Sequence, residues 1–178
     1  VKDPKFVESK EVFRSTKFTV MEEKFELPTG EVVGRAKLGH GGAAVIVPVL
    51  KNGKLMLIEQ YRYAIQGRLL EFPAGTRDDA EDPFKTAVRE LKEEIGGVSD
   101  DWTSLGGAYS TPGFTDEILY AYLAKDVSIG ETNLEQGELV NPKEMSVAEV
   151  EAAIISGELK DMKSIVAFFQ AKLSGKLS

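Results

Sequence analysis

Apolar residues recur at roughly every second position between Lys10 and Leu38, where Val12, Phe18, Val20, Phe25 and Val32 stand among polar neighbours. That alternation predicts strands with one face in water. Leu27-Pro28-Thr29-Gly30 supplies a turn between two of them. A denser pattern begins near Gly41. Ala43 to Leu50 and Lys54 to Gln60 are apolar strand candidates joined by Lys51-Asn52-Gly53, whose Asn-Gly pair is a hairpin signal. Leu69 to Phe72 reads as a short strand that stops at Pro73. Asp82 followed by Pro83 marks a helix start, and Gly96-Gly97 marks its end after Ile95.

Further strands are predicted over Leu105 to Thr111, Ile118 to Ala124 and Glu138 to Met145, with a polar loop over Lys125 to Gly137. Ser146 to Ser156 and Ser164 to Leu173 carry helical periodicity on either side of Gly157. Strands, one central helix, more strands and two helices make an α+β chain. The boundary falls between an N-terminal β extension, residues 1–40, and a main domain, residues 41–178.

Composition narrows the chemistry. The 178 residues are 42% hydrophobic and 29% charged, an ordinary globular balance. Twenty-two basic against 29 acidic residues leave a net charge of −7, which disfavours nucleic acid and anionic membrane as partners. With no cysteine and a single histidine, His40, a metal ion would have to be held by oxygen, which selects Mg²⁺, Mn²⁺ or Ca²⁺. No apolar run is long enough to span a bilayer and no signal-peptide pattern opens the chain, so a cytoplasmic protein is expected.

On a helical wheel over Pro83 to Ile95, Phe84, Ala87, Val88, Leu91 and Ile95 form one apolar stripe. Glu90, Glu93 and Glu94 fall outside it, and Arg89 stands one turn before Glu93. Taken alone, such acids read as a solvated face. Here they follow directly on a Pro73-Ala74-Gly75 turn, with Glu81 at the helix entrance and an acidic loop downstream. Carboxylates converging without histidine or cysteine suit hard divalent cations.

The segment from Gly75 to Gly96 resembles the Nudix box, G-x5-E-x7-R-E-U-x-E-E-x-G-U, with U a bulky aliphatic. Gly75, Glu81, Arg89, Glu90, Leu91, Glu93, Glu94 and Gly96 match, and Gly97 replaces the final aliphatic. A chance match in such a chain has odds on the order of 10⁻⁵ or less, which outweighs the solvated-face reading. The resemblance implies an α/β/α sandwich with a mixed sheet and hydrolysis of a nucleoside diphosphate linked to another moiety. It implies Glu90, Glu94 and the Ala74 carbonyl as metal ligands, Glu93 and Arg89 in supporting catalytic roles, and Glu81 as a supporting acid.

Glu59-Gln60-Tyr61-Arg62 and Leu70-Glu71-Phe72-Pro73-Ala74-Gly75 resemble the ADP-ribose pyrophosphatase and nucleoside-diphosphate-sugar hydrolase branch, and Pro112 is the fifteenth residue after Gly97, a marker of that branch. The resemblance implies that Arg62 touches the diphosphate or its neighbouring acids, and that Arg35 and Phe13 line the base pocket. An arginine and an aromatic ring can sandwich a purine. By pattern alone Phe13 reads as sheet packing. Glu71, Thr111, Pro112, Gly113 and Glu117 complete the implied substrate contacts.

In this branch a glutamate before the last strand activates water or binds a further metal. The local residues are Leu134-Glu135-Gln136-Gly137-Glu138; ungapped alignment of the following helices puts Glu138 at one acid position and Gln136 at the other. Glutamine cannot carry the charge or take the proton. Either Glu135 substitutes, or the chain is a variant inactivated naturally or by design. The branch also commonly exchanges its N-terminal strands between subunits, which makes a homodimer the expected state. The resulting expectation is Mg²⁺-dependent hydrolysis of ADP-ribose to AMP and ribose 5-phosphate, with Mn²⁺ as a second ion. The alternatives are a broader hydrolase of ADP-, GDP- or UDP-hexose and a catalytically silent nucleotide-sugar sensor.

Overall fold

The computed structural model describes residues 2–78, 81–134 and 139–177. The N-terminal alternation becomes three strands, β1 (Lys5–Arg14), β2 (Thr19–Glu26) and β3 (Val32–Gly39), in an antiparallel sheet ordered β1-β2-β3. The β2–β3 turn closes through the Gly30 N–H donating to the Leu27 carbonyl at 2.8 Å, and Gly30 takes a φ of +86°, which a side chain would disfavour. Residues Tyr109–Ile118 belong to the same compact unit as the chain up to Gly42. There the Leu38 N–H donates to the Phe114 carbonyl at 2.7 Å, and the Asp116 carboxylate accepts from the His40 N–H at 2.9 Å.

A second unit comprises residues 43–108 and 119–178. Its mixed sheet is built from β4 (Ala43–Leu50), β5 (Leu55–Arg62), β6 (Gly67–Glu71), β7 (Ala74–Thr76), β8 (Gly97–Val98), β9 (Asp101–Tyr109), β10 (Ile118–Ile129) and β11 (Val140–Met145). The path runs β11-β5-β4-β10-β8, with β6 on β5, β7 on β4 and β9 on β10. β4 and β10 are parallel, whereas β5 meets β6 and β11 antiparallel.

The central strands are apolar on both faces because both faces are covered. Ala44, Ile46, Met56, Ile58, Tyr122 and Ala124 pack with Ala87, Leu91 and Ile95 of helix α1 (Pro83–Ile95). Val45, Val47, Leu55, Leu57, Ala121 and Leu123 pack with Val150 and Ala153 of α2 (Val147–Ser156) and Ala167, Phe168 and Ala171 of α3 (Met162–Leu173). This is the expected α/β/α arrangement. At about 1.5–3 kcal/mol for each large apolar side chain fully buried, these two layers hold the unit together.

Helix α1 starts and stops where the sequence predicts. The Asp82 carboxylate accepts from the Phe84 N–H at 2.9 Å, Pro83 opens the first turn, and Gly96 leaves the helix with a φ of +63°. A Cβ on Gly96 would overlap the backbone of Gly130. The Gly130 N–H donates to the Gly96 carbonyl at 2.8 Å and the Asn133 N–H to the Glu93 carbonyl at 2.9 Å, so this helix end anchors the chain leaving β10.

The predicted stripe is corrected. Phe84 and Val88 are 40% and 42% exposed, while Thr86, Glu90 and Glu94 join Ala87, Leu91 and Ile95 inside. Phe84 instead meets Trp102 edge-on at 5.4 Å between ring centroids. β10 runs on to Ile129 where a loop is predicted from Lys125, because Asp126 takes a φ of +51° and the bulge between Ala124 and Val127 absorbs the irregularity. Among the described residues no helix is long and apolar enough to cross a membrane.

Candidate active site on the acidic helix

Two consecutive turns of α1 turn Glu90 and Glu94 inward, leaving them 8% and 2% exposed. Burying carboxylates is costly unless each finds partners. Glu94 Oε2 accepts from the Ala74 N–H at 2.9 Å, and Glu90 Oε1 accepts from Arg89 Nη1 at 2.6 Å. Gly75 is glycine for a steric reason, since a Cβ there would overlap the Glu90 carboxylate. The turn behind the helix therefore holds Glu94 by a main-chain N–H and leaves room for Glu90 at Gly75.

Arg89 is the organising cation. Its Nη1 also donates to Glu93 Oε2 at 3.0 Å, and its Nη2 donates to the Thr76 carbonyl at 3.1 Å and to Glu81 Oε2 at 3.2 Å. Burial opposes its charge, but Glu81, Glu90 and Glu93 outweigh that and hold its pKa above the ordinary arginine value. Burial pushes the Glu81 carboxyl up, yet the Thr86 hydroxyl, donating at 2.8 Å, and Arg89 bring it below the usual range.

A second charged cluster involves β5, β6 and α3. Arg62 grips the buried Glu71 through Nε to Oε1 at 2.8 Å and Nη2 to Oε2 at 2.5 Å. Lys163 also contacts Glu71 Oε2 and meets Asp161 Oδ2 at 2.8 Å. Asp161 caps α3 by accepting from the Ser164 N–H and hydroxyl, while Ser164 Oγ accepts from the buried Phe72 N–H at 2.7 Å. Burial pushes Glu71 up, but Arg62 and Lys163 together bring it below the ordinary carboxylate range. Its charge therefore stabilises the fold above the pKa of an unfolded glutamate, and the contribution is lost as pH falls through the depressed folded value. Urea midpoints are expected to separate the parent protein from Glu71→Gln at neutral pH and to converge in acid; a gap independent of pH would contradict this.

The structure brings Glu81, Arg89, Glu90, Glu93, Glu94, Ala74 and Gly75 together. Arg62 lies within electrostatic reach of Glu94, which helps raise its pKa after the larger effect of Glu71. Glu71 itself is closed in by Arg62 and Lys163 and reaches a ligand only through Arg62. Glu135, Gln136 and Glu138 lie outside the described residues.

The remaining expected contacts belong to the first unit. Thr111 accepts through its carbonyl from the N–H groups of Phe114 and Thr115, Pro112 and Gly113 are exposed, and Glu117 stands 3.5 Å from His40 Nδ1. Phe13 is exposed and contacts Phe18, while Arg35 donates to the Gly34 carbonyl. Phe13 pairs with Val20 and Arg35 with Glu23. Val20 and Glu23 are an odd number of positions apart on β2, so Phe13 and Arg35 occupy opposite faces of the sheet. One chain thus does not sandwich a purine between these two side chains.

Sequence reasoning passed over Asp161, Lys163 and Ser164. A helix-capping aspartate followed by a lysine was the available signal, but its partner Glu71 is 92 positions away from Lys163. Among the described residues no three acidic or imidazole side chains converge to hold an ion by themselves. The two buried glutamates against the Ala74–Gly75 main chain are an oxygen-only donor set, suited to a hard divalent cation.

A family model described as NUDIX domain matches residues 39–165. ADP-ribose pyrophosphatase from Bacillus subtilis (strain 168) is 30% identical over 177 residues, 98% of this chain and 96% of that protein. GDP-mannose pyrophosphatase from Yersinia enterocolitica is 30% identical over 145 residues, 76% of this chain and 75% of that protein. A solved crystal structure of an ADP compounds hydrolase superposes with a TM-score of 0.84 at 23% identity, covering 99% of this chain and 98% of that one, which shows a shared fold.

Proposed function

The chain belongs to the Nudix family, and from that premise we propose that it hydrolyses the diphosphate bond of ADP-ribose to AMP and ribose 5-phosphate. The observation that carries this reading is the buried Glu90–Glu94 pair, Glu90 held by Arg89 beside Gly75 and Glu94 by the Ala74 N–H, with Arg62 within electrostatic reach of Glu94. Glu90, Glu94, the Ala74 carbonyl and Glu138 would hold Mg²⁺, with Mn²⁺ as a substitute. When bound, the ion supplies charge neutralisation at the diphosphate and acidity to water.

The chain's own residues do the rest. Arg62 meets a phosphate oxygen with its donors, and Arg89 fixes the carboxylates so that they need no rearrangement as charge develops. Glu93 shares that clamp, and Glu135 or Glu138 receives the proton of the attacking water, a task that the carboxamide of Gln136 cannot perform. Water adds across one phosphorus–oxygen bond of the bridge, and the two monophosphates leave.

The match to an ADP-ribose pyrophosphatase, 30% identical over 98% of this chain, favours ADP-ribose over the match to a GDP-mannose pyrophosphatase, which is 30% identical over 76% of the chain or, in a second such protein, 28% over 93%. The latter supports a second reading, a broader nucleoside-diphosphate-sugar hydrolase. Initial rates on ADP-ribose, ADP-glucose and GDP-mannose with Mg²⁺ decide between them. The expected result is a kcat/KM at least about tenfold higher on ADP-ribose, the scale a matched pocket provides. Tight binding without AMP release would instead make the protein a sensor.

Gln136→Glu is expected to raise turnover by about tenfold or more, since a carboxylate can take a proton that a carboxamide cannot. An unchanged rate would leave Glu135 or Glu138 with that task.

The N-terminal extension, residues 1–40, serves dimerisation, with strands exchanged between subunits and the whole acting in the cytoplasm. β1 is exposed along its length, Phe6 and Phe13 included, and Phe13 faces away from Arg35. A base stacked between them therefore calls for Phe13 from a second copy. Sedimentation showing only a compact monomer at micromolar concentration would sink the dimer.

A further inference from the structure

Lys163 stands in the first turn of α3, far along the chain from the acidic helix, yet its ammonium lies against Glu71 and Asp161. Four charges meet there, Arg62 and Lys163 against Glu71 and Asp161, and they balance. The Glu71 carboxylate is 1% exposed and Arg62 is 37% exposed, so the cluster has a closed end and an open end. Arg62 spends Nε and Nη2 on Glu71. Its Nη1 donates to no partner among the described residues, which leaves two N–H groups at the open end. The closed end is braced by Asp161, which caps α3, and by Ser164, which receives the Phe72 N–H two residues before the Ala74 that holds Glu94.

We infer that Lys163 is a positioning residue for the diphosphate of the substrate. By sharing the Glu71 carboxylate it keeps Arg62 at a fixed angle, with its Nη1 edge offered outward to a phosphate oxygen. The inference rests on the hydrolase reading above. Without the ammonium, two carboxylates face one guanidinium. Arg62 is then drawn inward and the outward edge is lost, so binding of the anionic substrate suffers more than the chemical step.

Lys163→Met is expected to raise KM for ADP-ribose about tenfold or more while kcat changes by less than about threefold. Adding Asp161→Asn removes one charge of the opposite sign and keeps a side chain able to cap α3. The double variant is expected to recover KM to within about threefold of the parent protein, a non-additive rescue that a packing role would not produce. The ¹⁵N–¹H signal of Arg62 Nε, read on the same proteins without substrate, should shift in the single variant and return in the double. An unchanged KM together with an unchanged Nε signal in Lys163→Met would overturn the inference, as would a double variant worse than the single. If the parent protein fails to hydrolyse ADP-ribose, the proposed function falls, while the Arg62 signal still decides whether Lys163 positions that side chain.

Discussion

Glu94→Gln is expected to cut turnover on ADP-ribose by about a thousandfold while leaving the fold in place. The amide matches the carboxylate in shape, and its oxygen can still accept from the Ala74 N–H that Glu94 holds at 2.9 Å. What disappears is one full negative charge at a buried point, 2% exposed. Removing the charge relieves the cost of burying it but also ends its attraction to Arg62, so the net change in thermal stability should be small. Catalysis suffers because a divalent cation held by fewer anionic oxygens stabilises less transition-state charge. A loss of about 4 kcal/mol is reasonable for one such ligand, and each 1.36 kcal/mol is tenfold in rate. Steady-state kinetics beside a melting curve check both halves. Turnover within tenfold of the parent protein, at saturating Mg²⁺, would remove Glu94 from the metal-binding role.

Gly75→Ala is expected to lower turnover about a hundredfold for a different reason. The added methyl group would occupy the space of the Glu90 carboxylate. That carboxylate is the far end of a flexible side chain, so it moves aside and the main chain need not. The cost in stability should therefore stay within about 1 kcal/mol. The displaced acid leaves its 2.6 Å bond from Arg89 Nη1, and both the ion site and the clamp lose a member. Pairing Gly75→Ala with Glu90→Asp shortens the side chain that collides, and part of the activity should return. Full activity in Gly75→Ala alone would mean that Glu90 works equally well from another position, contrary to the role assigned to it.

The central helix is the most legible part of this chain. Asp82, Pro83 and Gly96 are local signals, and each acts within a few residues of where it stands. The orientation of that helix is another matter. Apolar periodicity places Phe84 and Val88 inside and the glutamates outside, whereas the Ala74–Gly75 turn supplies donors and clearance that allow Glu90 and Glu94 to be buried. Hydrophobic pattern alone carries no term for such tertiary compensation. β7 and β8, three and two residues long, are too short to display a period, and the extension of β10 depends on Asp126 adopting a left-handed backbone. The Lys163–Glu71 pair is invisible for the plainest reason: 92 positions separate its members and nothing in the sequence joins one to the other. On the same grounds, only strand register shows that Phe13 and Arg35 stand on opposite faces of one chain's sheet.

The hydrogen bond from Asn133 to the Glu93 carbonyl has an evolutionary reading. It ends the stretch of chain rooted on the acidic helix, just before the segment that contains Gln136. Insertions, deletions or wholesale replacement beyond that knot leave the helix's own ligand geometry untouched. Descendants of such a scaffold are free to trade substrates or catalytic bases by splicing in new segments there, with the acidic helix and its bond to the Ala74 N–H inherited unchanged.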